Sequence, residues 1–312
     1  MSQLTKTQPL VSPINQQGVC QAVDTISVAG LRQKYQELYQ LDITPFVESL
    51  EEITIYECPY TGYQFFHPFS LAGDGPFYEH LEQYPWYYLP WKWEHEKSLG
   101  LLQTGQKVLE IGCGQGSFIA KLQSEGYEAT GLELNEHGVA LACEQGLDVR
   151  GELVQDHALV AANQYDLVCS FQVLEHIADI QSFIQAKLDC LKVGGKLIVA
   201  VPNNDSFIKD ANWNVLNMPP HHMGLWREAS LRKLTDHFSM DLLEIDYEPL
   251  EKRHYHWYRK TRERQIFPSE NAFSYKIYSK LGLPSLFEKW IHNNRQSIHG
   301  HTIMAVYQKT ES

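Results

Sequence analysis

The chain has little cysteine, and what it has follows no pattern. Six cysteines, at 20, 58, 113, 143, 169 and 190, are scattered through 312 residues with no CxxC pair and no metal-ligand spacing. That usage excludes a zinc site built on cysteine and suits a reducing compartment, with the thiols buried as small hydrophobes. The segment ECPYTGYQFFHP offers one cysteine where a zinc ribbon would need several. Long apolar runs are missing as well. The longest plainly aliphatic one, Leu197 to Val201, is far too short to span a bilayer. The opening MSQLTKTQPLVSPINQQG is polar and lacks the apolar stretch of a signal peptide. Positive charge is in deficit, and a net charge of −12 argues against a general electrostatic grip on nucleic acid or anionic membrane. What remains is globular, 43% hydrophobic and 12% aromatic, enough for a core. The expectation is a cytoplasmic protein that handles something small.

Residues 1 to about 30 read as a loosely ordered, Gln-rich entry. LRQKYQELYQL has helical spacing, ECPYTGYQFFHP is turn-rich, and Trp86 to Trp93 packs five Trp and Tyr residues into eight positions. From Lys107 the pattern becomes regular. Strand-like runs at 107–111, 128–134, 165–171 and 196–201 alternate with helix-like SFIAKLQSEG, EHGVALACEQG and IQSFIQAKLDCLKVGG. LDVRGE (147–152) adds a short strand, ASLRKLTDHF a helix, and 240–250 and 301–309 two further strands. Gly126, Gly146 and Gly194 stand where helix C-caps belong. This alternation predicts an α/β fold, doubly wound, with a parallel sheet covered on both faces. The expected division is an N-terminal cap or lid over 1–100, the sheet domain over 101–250, a cap insertion over 251–300 and the last strand over 301–312.

VLEIGCGQGSF, Val108 to Phe118, places a glycine-rich turn between a strand and a helix, a device for holding a nucleotide. Dinucleotide sites use GxGxxG, whereas Gly112, Gly114 and Gly116 give GxGxG. Glu110 sits two positions before the first glycine, where it would repel a pyrophosphate and suits a cationic cofactor. S-adenosylmethionine, with an ammonium and a sulfonium and no phosphate, is such a cofactor. Glu133, ending the next strand, can accept hydrogen bonds from both ribose hydroxyls, a feature shared with NAD sites.

With VLEIGCGQGSF, GLEL, YDLVCSFQVLEHI and LKVGGKLIVAVPN in register, residues 107–240 resemble class I S-adenosylmethionine-dependent methyltransferases. The resemblance is to the group that includes ubiquinone-type O-methyltransferases and many sugar and natural-product methyltransferases, enzymes of small-molecule biosynthesis. It implies a seven-stranded, mostly parallel Rossmann-like sheet, in which 240–250 and 301–309 form an antiparallel addition. It further implies that Glu110 and Gly112, Cys113, Gly114, Gly116, Ser117 and Phe118 hold the methionine moiety. Glu133 would take the ribose, with Leu134 beside the adenine and Leu153, Phe171 and Gln172 framing adenine and cofactor face. Cys113 itself reads as a small filler between glycines.

Methyl transfer is an in-line displacement, so the protein must align the nucleophile, exclude water and, for a hydroxyl, remove a proton. His176, in QVLEHI, and His222, in NMPPHHMGLW, are the candidate bases, with His221 at the pocket wall. Adjacent histidines in an extended loop are expected to point apart. Ubiquinone-type relatives carry Glu-x-x-Glu-His and use it for a divalent metal. Here Glu175 and His176 remain but Gln172 replaces the first Glu, so no metal is expected. Tyr87, Tyr88 and Trp91 could wall off the cofactor and contact the acceptor. The basic run KRHYHWYRKTRER has six Lys/Arg against one Glu. It reads as a solvated cap helix ahead of an RNA-binding strip. O-methylation of a small-molecule acceptor leads and N-methylation follows. A non-catalytic cofactor- or partner-binding module and a nicotinamide-dependent oxidoreductase stay open. No [DN]PP[YFW] follows the fourth strand and no Pro-Cys nucleophile is present, so base methylation is disfavoured. No nucleic-acid or membrane partner is expected.

Overall fold

Apolar runs buried on both sides become the central strands, and the helical stretches between them cover the faces. The computed structural model describes residues 9–87, 89–267 and 269–311. The chain opens with β1 (Gln21–Ser27), α1 (Val28–Tyr39), α2 (Thr44–Val47), β2 (Glu52–Glu57), β3 (Gln64–His67) and α3 (Gly75–Glu82). Then follow α4 (Trp93–Leu99), β4 (Lys107–Ile111), α5 (Ser117–Ser124), β5 (Glu128–Leu132), α6 (Glu136–Glu144), β6 (Val149–Arg150), α7 (Val154–Val160), β7 (Tyr165–Phe171), α8 (Ile180–Cys190) and β8 (Leu191–Pro202). The last elements are β9 (Gly224–Leu225), α9 (Glu228–Arg232), β10 (Met240–Pro249), α10 (Tyr255–Ile266), α11 (Phe273–Lys280), α12 (Leu283–Asn294) and β11 (His299–Lys309).

The large sheet has the order β6-β5-β4-β7-β8-β11-β10. β4, β5, β6, β7 and β8 run parallel to their neighbours, and β11 enters antiparallel between β8 and β10. The α/β, mostly parallel, Rossmann-like architecture is therefore as expected. Alternate residues of each strand feed two cores. Leu109, Val168, Leu197 and Val199 point to one face, while Val108, Leu167, Ile198 and Ala200 join Phe118, Ile119 and Leu122 on the other. The strand order reverses between β4 and β7, and open α/β sheets leave their crevice at such a point, beyond the C-terminal strand ends.

Two local expectations fail. The N-terminal third is not only helical and irregular, because β1, β2, β3 and β9 form a second, antiparallel sheet. Its strands are short, and its fourth member is far away in sequence (Phe65 pairs with Gly224), so no local window carries the signal. The second concerns α8, which stops at Cys190 and not at Gly194. Leu191 already pairs with Tyr165, and Gly194, at φ +80°, lies inside β8. Gly126 and Gly146, at φ +86° and +77°, do follow the ends of α5 and α6. Among the described residues no helix is long and apolar enough to cross a membrane.

The two sheets meet at Trp226, which is fully buried with its ring centroid 4.3 Å from that of Tyr63. Tyr63, Phe65 and Trp226 share one core with Leu109 and Val168. Trp226→Ala is expected to cost about 3–5 kcal/mol, the usual penalty for emptying a large aromatic site. Urea unfolding measures it. A loss under about 0.5 kcal/mol, within the range of surface substitutions, would show that the two sheets are energetically independent.

Candidate active site

The turn after β4 accepts glycine alone at two points. Gly112 has φ +73°, and a Cβ there would lie 2.4 Å from Val173 Cγ2. Gly116, at φ +79°, would place one 2.7 Å from Leu147 Cδ1. With these positions fixed, the backbone wraps a recess of about 110 Å³ lined by Glu110, Cys113, Gly114, Ser117 and Phe118. Phe118 is held between His95 and Phe171, with centroids 5.2 and 5.4 Å away. The Cys113 thiol packs onto Gly131, and burial pushes its pKa up, so it is unreactive filler.

Two carboxylates flank this turn in different states. Glu110 is 3% exposed, and its Oε2 has no hydrogen-bond partner. Burial raises its pKa to about 8. Such a group recovers its charge when a cation enters the recess. Glu133 is pinned by backbone donors: Gly114 N–H to Oε2 at 2.7 Å, and Leu134 and Asn135 N–H to Oε1 at 2.8 and 2.9 Å. The recess shares Gly112, Lys92 and Phe171 with a cavity of about 1320 Å³. Leu134 and Leu153 lie on the wall of that cavity, 63% and 48% exposed, with apolar surface left for a planar group to cover. Gln172, also on the wall, adopts the left-handed φ of +58° as β7 leaves the sheet. Its Nε2 then lies 3.4 Å from both Glu94 Oε1 and Thr302 Oγ1. A non-glycine residue held in that conformation at a cleft is the kind of strain found at functional sites.

At the far end three imidazoles converge. His176 Nδ1–H donates to the His221 carbonyl at 2.6 Å, with the Tyr78 hydroxyl 3.1 Å away. His221 Nδ1–H donates to Leu216 O at 2.8 Å, and Tyr87 O–H donates to its Nε2 at 3.0 Å. His222 Nδ1 lies 3.2 Å from Asn217 Oδ1. The two adjacent histidines do not point apart. Both amides of this tight turn donate to Met218 O at 3.1 Å, the rings stack 4.4 Å apart, and both line the cavity. Burial lowers the pKa of His176 to about 4 and of His221 to about 3, and holds His222 well below the usual imidazole range, so all three are neutral bases near pH 7. Their donor atoms lie within 4.8 Å of one another. Beside them Glu175, fully buried, has neither oxygen hydrogen-bonded and sits 3.9 Å from His222 Nε2. Neutral imidazoles next to an unpartnered carboxylate are donors a divalent cation could use.

A family profile described as a methyltransferase domain matches residues 86–266, more than half of the chain. The chain belongs to the methyltransferase-domain family. Its class is that of the S-adenosylmethionine-dependent, class I methyltransferases. The ubiquinone biosynthesis O-methyltransferase of Salmonella arizonae is 35% identical over 116 residues, 35% of this chain and 47% of that enzyme. The Salmonella newport enzyme of the same name matches equally. The chain thus aligns with about half the length of these curated relatives. A solved S-adenosylmethionine-dependent methyltransferase from Archaeoglobus fulgidus superposes with a TM-score of 0.48 at 16% identity, covering 69% of this chain and 91% of that one.

The small recess and the large cavity together gather most of the residues singled out in the sequence. Gly112 and Phe171 line both, and Glu133, Leu134, Leu153, Gln172, Tyr87, His176, His221 and His222 line the larger. Gly116 and Trp91 line neither. Gly116 sits at the start of α5, and Trp91 lies over Phe118 with its Nε1–H donated to Glu96. Tyr88 lies outside the described residues. Sequence reasoning missed Tyr78, Lys92, Glu94, Arg253, His254, Trp257 and His301 on the cavity wall. No motif marks them, because they arrive from α3, the segment before β4, the cap before β11 and β11 itself.

Burial raises Glu110, Glu175 and Glu248 each to about 8, against 4.5 when unfolded. The folded state therefore keeps protons that the unfolded chain has released. The associated stability is fully present below about pH 4.5 and is lost as pH rises through about 8. The ligand-free Tm is expected to fall between about pH 5 and pH 9. Glu175→Gln should raise Tm at the alkaline end and flatten the slope, and thermal melts across this range test it. A slope unchanged by the substitution would show that Glu175 is already paired and charged.

Proposed function

We propose that the methyltransferase transfers a methyl group from S-adenosylmethionine to a hydroxyl oxygen of a small-molecule acceptor. The observation that carries this reading is Glu110, a buried carboxylate with an unpartnered oxygen at the mouth of a glycine turn. That arrangement suits an ammonium and not a pyrophosphate, which disfavours the nicotinamide alternative. Glu110 would receive the ammonium, Glu133 the ribose hydroxyls, and Leu134 and Leu153 would flank the adenine. Bound there, the cofactor supplies an electrophilic methyl group on a sulfonium.

The protein's own part is alignment, exclusion of water and handling of one proton. Gln172, with Glu94 and Thr302 behind it, would set the nucleophile's position. His176, with Nδ1–H anchored on the His221 carbonyl, keeps its lone pair on Nε2 and would accept the hydroxyl proton there. Tyr87 and His221 would contact the acceptor. The name of the curated relatives, ubiquinone biosynthesis O-methyltransferase, supports oxygen over nitrogen. A second reading of the histidine end rests on the unpartnered Glu175. The three imidazoles and this carboxylate would hold a divalent ion that lowers the acceptor's pKa, in place of the metal-free site expected from Gln172. A cytoplasmic setting without a nucleic-acid partner belongs to the proposal too, supported by the net charge of −12.

Calorimetry with S-adenosylhomocysteine should show about micromolar binding, weakened at least about tenfold by Glu133→Ala, with no heat from NADH. Heat from NADH alone would overturn the cofactor assignment. With a turned-over acceptor, His176→Ala should lower kcat by about 10²-fold or more and leave cofactor affinity unchanged. Loss of turnover in EDTA, restored by a divalent ion, would favour the metal reading. Binding without turnover of any hydroxyl or amine acceptor would favour a non-catalytic module.

A further inference from the structure

The cap between β10 and β11 carries a surface that the cavity does not use. α10 and α12 meet over a small core of Phe207, Leu250, Tyr258 and Ile291. Outside that core, α11 and α12 leave a series of apolar side chains uncovered. Phe273, Ile277 and Leu281 recur every four residues along α11 and its end, and Leu283, Leu286 and Trp290 follow on α12. All six are exposed, Phe273 at 79% and Leu281 at 66%, and Ile266 adds a seventh at the end of α10. Helices normally turn such stripes towards a core, and large apolar side chains left exposed along a helix mark a candidate interaction site.

Charge says what covers it. Residues 252–295 hold ten Lys and Arg against three Glu, a net of +7 in a chain of net −12. The three glutamates are already engaged: Glu263 and Glu288 with Arg259 at 2.6 and 2.8 Å, and Glu270 with Lys260 at 2.8 Å. Arg262 pairs with Asp210 at 3.0 Å. The basic run of α10 is therefore largely spent inside the protein and offers no open strip to RNA. Six cations of the stretch are in no ion pair among the described residues, and four of them, Arg264, Lys276, Lys280 and Lys289, are exposed and interleaved in sequence with the apolar side chains.

We propose that this face of the cap docks on the surface of an anionic lipid bilayer. Its apolar side chains enter the headgroup region, and its lysines meet the lipid phosphates. A second copy seated symmetrically on the same face would bring like charges together, which disfavours self-association. The expectation of no membrane partner rested on the charge of the whole chain, and the fold segregates that charge. The same cap lends Arg253, His254 and Trp257 to the cavity wall, so bilayer contact and cavity share one element.

Co-sedimentation of the full chain with vesicles tests this. Phosphatidylcholine vesicles containing phosphatidylglycerol should pellet the protein, with binding weakened by salt, and vesicles of phosphatidylcholine alone should not. Ile277→Glu with Leu281→Glu should lower the partition coefficient at least about tenfold. Both side chains are exposed, so Tm and S-adenosylhomocysteine affinity should stay unchanged, and they serve as the folding control. Equal binding of wild type and double variant would overturn the assignment of this face. So would failure to bind either vesicle, whether the protein proves monomeric, dimerises through α11 and α12, or retains an RNA oligonucleotide instead.

Discussion

The backbone of Met223 is held from both sides, and the site is organised around that clamp. Its N–H donates to Glu175 O at 2.8 Å, on the turn after β7, and its carbonyl accepts Phe66 N–H at 2.9 Å, from β3. His222 precedes it directly. The loop of the two histidines is thereby stitched to the strand-end motif on one side and to the N-terminal sheet on the other. Gly73 N–H on Pro220 O, and the Tyr35 hydroxyl on Val215 O, add two more ties from the N-terminal third. That third is more than an appendage to the large sheet. It builds the wall on which the histidines stand, and its tyrosines, Tyr78 and Tyr87, reach the rings themselves.

A second theme is buried acid with an oxygen that accepts no hydrogen bond. Glu110, Glu175 and Glu248 each keep an oxygen without a hydrogen-bond partner, at the glycine turn, the histidine cluster and the start of β11. Buried polar groups are normally satisfied, and an unsatisfied carboxylate costs stability. Two of the three border a cavity, where an incoming cation would relieve the cost. Carboxylates fixed in this way would meet a positively charged group with little rearrangement, which is the physical meaning of preorganisation.

The glycine turn, Glu133 and the strand–helix alternation were legible because each is local. Gly112 needs a positive φ and clearance for Val173, and the residues around it announce the turn. The histidine cluster was legible only in part. His176, His221 and His222 could be picked out by residue type, but their convergence depends on a turn that stacks two neighbouring rings and on pairing between β3 and β9. Lys92, Glu94, Arg253 and His301 share the cavity without sharing a motif, and no spacing rule connects them.

Sequence by itself determined the parallel sheet, its glycine turn and the acidic residues that flank it, since periodicity and backbone conformation are properties of short windows. Tertiary structure alone decided that the N-terminal third forms a second sheet and where its strand edge pairs. It also decided which histidines meet and how a chain of net negative charge leaves free lysines beside exposed apolar side chains on one cap. Those outcomes depend on contacts between residues from tens to more than a hundred positions apart, or on which charges find partners, and neither is written in any short stretch of the chain.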